Sequence, residues 1–277
     1  MPLDDVIKII IKVERDYNIG KSLLDELLSN GIITQNINYK KEEYIYVTYE
    51  KLEDYLYAKL LVDDLEHIGI DEFNLKYNYL LRYGDILEAL AIVLSENKNY
   101  EIFDLFVNQK EDYHIRNAFC NALKWRKSDT ITQNTLDYIN NVILKYNNGF
   151  KKIYNIFILI STKIGHKFSA DFVIKNFLSK KMSDRDALYI PIFDEIYEDY
   201  TSSINRLLDW SLHRKNNEKI SEEKIRLASI IISTFLISPN NILRDKSTKA
   251  LVNLLNGHID VLIEVLTKFE NVDDPYI

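Results

Sequence analysis

The sequence predicts a mainly α-helical chain, in which a small N-terminal module with one β-hairpin precedes an irregular array of paired helices. Three observations predict it. Gly and Pro number only 7 and 4 among 277 residues, too few turn formers for a β-rich or α/β chain of this size. Between Glu43 and Leu65 the apolar period changes from two residues to that of a helix. Amphipathic segments separated by short polar breaks then fill the rest of the chain.

Taken in order, Val6, Ile9, Ile10 and Val13 share one helical face, although so many β-branched residues would also suit a strand. Asn18-Ile19-Gly20 makes a break. A second helix follows from Lys21 to Asn30, with Leu23, Leu24, Leu27 and Leu28 inward and Asn30-Gly31 as its stop. Ile32-Ile33-Thr34 opens a strand, Asn36 to Glu42 makes the loop, and Tyr44 to Tyr49 returns with Ile45, Val47 and Tyr49 on one face. Helix, helix, hairpin is the order of a winged helix. From Glu50, residues Leu52, Tyr55, Leu56, Ala58, Leu60, Leu61 and Val62 form a stripe too wide for a surface helix. A largely buried helix is therefore expected to close a winged-helix-like module over 1–65, and Leu56→Asp is expected to unfold it.

Over 66–277 the segments fall at about 71–81, 84–96, 99–109, 112–126, 131–147, 150–164, 167–180, 184–199, 201–215, 221–237, 241–256 and 259–269. Such lengths and breaks suit stacked antiparallel helix pairs, a HEAT-like repeat array without a strict period. The most regular stretch is Ser238 to Leu255. Pro239 and an Asn cap precede an inward face of Leu243, Ser247, Ala250, Leu251, Leu254 and Leu255, and small Ser247 and Ala250 allow close helix approach. Arg244 can reach the preceding loop, and Asp245 suits the positive end of the helix dipole. Phe269 to Ile277 looks like the cap and first residues of another helix, so the array is expected to be incomplete at its C-terminus.

Composition narrows the function classes. Of the formal charge of −7, most lies in the first 65 residues, which carry 8 basic against 13 acidic side chains, and this argues against a nucleic-acid footprint there. Cys120, the only cysteine, precludes an intramolecular disulfide and fits a reducing cytoplasm. Asp4 and Asp5 stand where a secretion signal needs basic residues, and Lys8 and Lys12 interrupt the apolar run from Val6 to Val13. The near-apolar run Leu227 to Ile237 is about half the roughly 20 residues that span a bilayer. A soluble, cytoplasmic protein is expected.

Motifs that carry chemistry are weak. Gly20-Lys21-Ser22 has Arg15 where a phosphate-binding loop needs its first glycine. His67, His114, His166, His213 and His258 lack metal-ligand spacing, and Glu111-Asp112-Tyr113-His114 supplies one Glu-x-x-His where a di-metal bundle needs two. Asp194, Glu195, Glu198 and Asp199 cluster within two helical turns; they can meet a basic partner, or pair with Arg185, Lys180 and Lys181. As a DNA-reading helix, residues 21–30 offer Lys21 and Asn30 but also Asp25 and Glu26, leaving Lys40 and Lys41 of the wing as the one basic pair near a backbone.

The join Tyr46-Val47-Thr48-Tyr49-Glu50-Lys51-Leu52-Glu53-Asp54-Tyr55-Leu56-Tyr57-Ala58, the helix Leu243-Arg244-Asp245-Lys246-Ser247-Thr248-Lys249-Ala250-Leu251-Val252 and the end Asp274-Pro275-Tyr276 together resemble large bacterial STAND-type ATPases of antiviral defence, the AVAST group most closely. The resemblance covers most of the chain in order and rests on helix-packing patterns. In that family a P-loop ATPase is followed by a winged helix and a helical-repeat region that recognises a phage protein, while an N-terminal effector does the damaging chemistry. This chain would then be the winged helix plus the first repeats. The family pattern has Asp-His where this chain has Asp54-Tyr55, so a nucleotide-reporting role is in doubt here, and no catalytic residue carries over. What the resemblance implies is a non-catalytic scaffold that uses no cofactor. Its expected partners are a protein, a phage protein by the likeness, and neighbouring domains of a larger chain; neither nucleic acid nor a membrane is expected. The interaction candidates are Asp54, Tyr55, Leu56, Asp194, Glu198, Arg244 and Asp245. A winged-helix transcriptional regulator with a helical ligand or dimerisation domain is the second expectation.

Overall fold

Leu3–Val13 forms the first helix, α1, with Asp4 and Asp5 in its first turn and Lys12 in its last, each at the end where the helix dipole favours its charge. The computed structural model describes residues 1–14, 22–146, 148–213 and 219–274, so Gly20 and Lys21 of the phosphate-loop comparison lie outside it. Ser22, the third residue of that motif, caps α2 (Leu23–Ser29): its Oγ accepts from Asp25 N at 3.3 Å while its own N donates to Asp25 Oδ2 at 3.0 Å. Gly31, at φ 67°, ends the helix. Its N–H returns to Leu28 O and that of Ile32 to Leu27 O, both at 3.0 Å, the paired closure that a left-handed glycine permits.

Strands β1 (Ile33–Ile37) and β2 (Glu43–Val47) pair antiparallel with Gln35 opposite Ile45. On the other edge of β2, Met1 N donates to Ile45 O and Ile45 N donates to Met1 O, each at 2.8 Å. Val6, Ile10, Leu24 and Ile45 make the small core beneath the hairpin, flanked by Leu3, Leu28 and Ile33. The strand stops two residues before Tyr49, which is extended but 60% exposed and leads into the next helix instead of pointing inward.

That helix, α3 (Glu50–Tyr77), keeps the expected break ahead of residue 71 but corrects the expected burial. It continues past residue 65 and breaks at Gly69, whose φ of 78° glycine adopts without the Cβ penalty. It is not a buried hub. Ala58, Leu61, Val62 and Phe73 are buried, but Leu56 is 46% and Leu60 64% exposed. A wide apolar stripe permits burial on a wide face; neighbouring elements cover only the line through 58, 61 and 62. The chain divides into two compact units, Met1–Leu94 and Ser95–Ile277, so α3 and most of α4 (Gly84–Lys98) group with the hairpin rather than with the helices that follow.

The second unit contains α5 (Ile102–Leu105), α6 (Tyr113–Ala122), α7 (Gln133–Asn141), α8 (Gly149–Ile160), α9 (Ala170–Leu178), α10 (Met182–Glu198), α11 (Ser203–His213), α12 (Glu222–Thr234), α13 (Asn241–Leu255) and α14 (Ile259–Phe269). The fold is mainly α with one hairpin, and helices lie where the sequence pattern places them. In the second half they form two layers: α11 packs against α8 and α13, while α12 packs against α9 and α14 as well as α13. This alternation is that of stacked helical repeats, interrupted by α10, which contacts both α8 and α11. At the centre, α12 buries Ile225, Leu227, Ala228, Ile230, Ile231 and Ile232, with Ser229, Ser233 and Thr234 filling the closest approaches. Its all-round apolarity is that of a helix enclosed on every side.

Two groups of charges tie segments of this unit together. Arg126 donates to both oxygens of Glu101, at 2.7 and 2.9 Å, and to Thr130 O at 2.5 Å, while Thr135 Oγ1 donates to Glu101 at 2.5 Å; all are buried. Arg226 of α12 reaches Asp171 of α9, Glu223 and Glu264 of α14. Hydrogen bonds from Arg226, partly opposed by burial, bring the Asp171 carboxyl down to about 2. A carboxyl lowered on folding adds stability above its ordinary value of about 4 and loses it as pH falls toward the folded value. Because the Asp171 side chain is 42% exposed, solvent screening keeps this below about 1 kcal/mol. In melting curves, Asp171→Asn should therefore lower the melting temperature slightly at neutral pH, with the difference from wild type disappearing between about pH 4 and 2. A constant difference across that range would show that the pair does not carry the effect.

Candidate functional site

The sequence-derived candidates occupy three places. Asp54, Tyr55 and Leu56 lie in the first half of α3. There Leu56 lines a shallow cavity of about 450 Å³ with Val47, Tyr57, Leu60 and Ile86, and Asp54 and Glu53 stand at its edge. Partial burial, then nearby Asp85, pushes the Asp54 carboxyl up. Tyr55 has Lys59 Nζ 5.2 Å from its ring centre.

Asp194 and Arg244 come together at the turn between α12 and α13. Ser238 Oγ donates to Asp194 at 3.2 Å, and Arg244 Nη1 donates to Ser238 O at 3.3 Å. Asn240 caps α13 by accepting from Ile242 N and Leu243 N. The arrangement fixes a turn. Glu198 and Asp245 are exposed and take no part in it. The acidic cluster on α10 also disperses: Glu195 pairs with Lys151, and Asp199 accepts from Thr201 N and Oγ1. Arg185, which the sequence offers as a partner for that cluster, instead meets Asp274 at 3.2 Å in a buried pair. Asn271 to Asp274 are not helical, and Pro275 to Ile277 lie outside the described residues.

The histidines are scattered. His67 and His213 each bond the carbonyl four residues back, and buried His166 accepts from Phe168 N at 3.1 Å through Nδ1. Among the described residues no group of three His, Cys, Asp or Glu side chains is placed to hold a metal ion, and no helix is long and apolar enough to cross a membrane. Burial pushes the Cys120 thiol up to about 11, away from the thiolate a nucleophile needs.

The most developed surface feature is one the sequence candidates omit. α14 is apolar on two faces. Val261, Val265 and Phe269 are buried, whereas Ile259, Ile263 and Leu266 are 63%, 57% and 60% exposed. Val252 of α13 is 67% exposed, and Leu251, Leu255 and Leu262 floor a groove of about 1280 Å³ between the two helices. Spacings of four and three residues put Ile259, Ile263 and Leu266 on one stripe, with Thr248, Asn256 and Glu270 as polar rim. A cavity this large exceeds what a drug-sized ligand fills and matches a groove that takes an amphipathic helix. The signal was available as apolar residues at every turn of 259–269, but a sequence cannot say that only one of two apolar faces is covered.

No family model, curated protein or solved structure matches this chain.

Proposed function

We propose that this chain is a non-catalytic protein-recognition scaffold, the part of a STAND-like antiviral-defence ATPase that carries recognition rather than the ATPase or effector modules, and that it binds its partner through the groove between α13 and α14. The observation that carries the recognition role is the second apolar face of α14, which stays exposed among the described residues. The defence context rests on the resemblance described above. The partner is a protein presenting an amphipathic helix, a phage protein by that likeness.

The test is cross-linked capture from phage-infected and uninfected cells, with the Ile263→Asp/Leu266→Asp variant beside the wild type. Both positions are exposed, so the variant should melt as the wild type does. A helix-bearing partner should be retained by the wild type and bind the variant about 30-fold more weakly, the usual scale for losing a central anchor. Equal recovery on both proteins would overturn the groove assignment. Salt-dependent binding to duplex DNA, in the absence of any protein partner, would favour a winged-helix regulator instead.

A further inference from the structure

A second concavity, chemically unlike the groove, lies within the second unit between α6, the turn after α7 and the start of α8. It has a volume of about 610 Å³, within the range of small-ligand pockets. Three cations line it, Arg116, Lys145 and Lys152, in a chain whose net charge is −7. Among the described residues no carboxylate pairs with Arg116 or Lys145. Arg116 donates through Nε to Glu111 O at 3.0 Å, and its guanidinium carbon lies 3.3 Å from the centre of the Tyr146 ring. This holds the planar fork still while its two Nη groups donate to no protein acceptor among the described residues. Lys152 donates to Asn117 Oδ1. The Glu111 carboxylate accepts from Tyr146 Oη at 3.1 Å.

The backbone adds to the same sign. Asn148, the residue before α8, has φ 65° and caps none of the helix amides with its side chain. Gly149 cannot be replaced without rearrangement, because a Cβ there would sit 1.9 Å from Ile143 O. The tight approach of the turn to α8 brings residues 148 and 149 of the helix start into the pocket wall beside Lys145 and Lys152. Convergent cations cost stability by mutual repulsion, a cost that a bound anion would relieve.

We infer that the pocket formed by Arg116, Asn117, Lys145, Asn148 and Lys152 binds a small phosphate-bearing anion. A stacked guanidinium fork with two ammonium groups suits the several charged oxygens of a phosphate better than a single carboxylate. Tyr113, 64% exposed at the mouth, offers a ring face to whatever the phosphate carries.

Isothermal titration with pyrophosphate at about 0.15 M ionic strength, where diffuse surface attraction is screened, tests the assignment. One saturable site is expected, weakened about ten-fold by Lys145→Ala, which removes one charge-assisted contact at an exposed position and should leave folding intact. Lys249→Ala, a lysine elsewhere on the surface, should bind as the wild type does. A nucleoside diphosphate is the second arm. Tighter binding than pyrophosphate supports the site with a base against Tyr113, and equal binding supports it with phosphate alone. Absence of saturable heat, or an affinity unchanged in both Lys145→Ala and Lys152→Ala, overturns the inference. Neither result bears on the α13–α14 groove.

Discussion

Arg126→Ala should lower the stability of the second unit by about 3–5 kcal/mol, which for a unit of this size moves the melting temperature by about 10 °C. The cause is the group left behind. Glu101 is buried, its side chain 4% exposed, and it receives two bonds from Arg126. With the arginine gone, Thr135 Oγ1 remains as donor for a carboxylate that must stay desolvated or take up a proton. The double replacement Glu101→Leu/Arg126→Met should recover most of the loss, since a buried ion pair is worth little over apolar packing while half of one is costly. Differential scanning calorimetry of the three proteins decides it. If Arg126→Ala melts within 2 °C or so of the wild type, the pair is solvated and the segments around α5 to α7 are held by packing alone.

Leu61→Asp should unfold the first unit, whereas Leu56→Asp should change its stability by no more than about 0.5 kcal/mol. The two residues lie five apart on one helix and look equivalent in sequence. Leu61 is 1% and Leu56 46% exposed. A charge at 61 is buried among apolar neighbours without a partner, at a cost of several kcal/mol, while at 56 it reaches water. Circular dichroism against denaturant should show a lost or much earlier transition for the first variant and a superimposable one for the second. Comparable loss in both would mean that the exposed side of α3 is covered in solution.

Much of the fold was legible because it is local. Ser22 with Asp25 and Asn30-Gly31 bracket α2 through hydrogen bonds that span a handful of residues, and the alternation around Ile45 needs one buried face to be recognised. Approximate helix positions along 84–269 follow from the same short-range periodicity. The candidate sites were less legible. Asp194 and Arg244 stand 50 positions apart in sequence and meet only because the α12–α13 turn is folded between them. Arg116, Lys145 and Lys152 each read as an ordinary solvated charge until α6 and α8 are set side by side.

The sequence by itself determined that this protein is mainly helical, roughly where its helices fall, and that a hairpin precedes most of them. Those properties depend on hydrogen bonds and side-chain spacing within one or two turns. Only the tertiary structure decided which apolar faces are covered: it exposed Leu56, enclosed α12 from Ile225 to Thr234, and left α14 with a second bare face beside Val252. Burial is a property of pairs of elements, and two identical stripes have different fates when one has a neighbour and the other faces water.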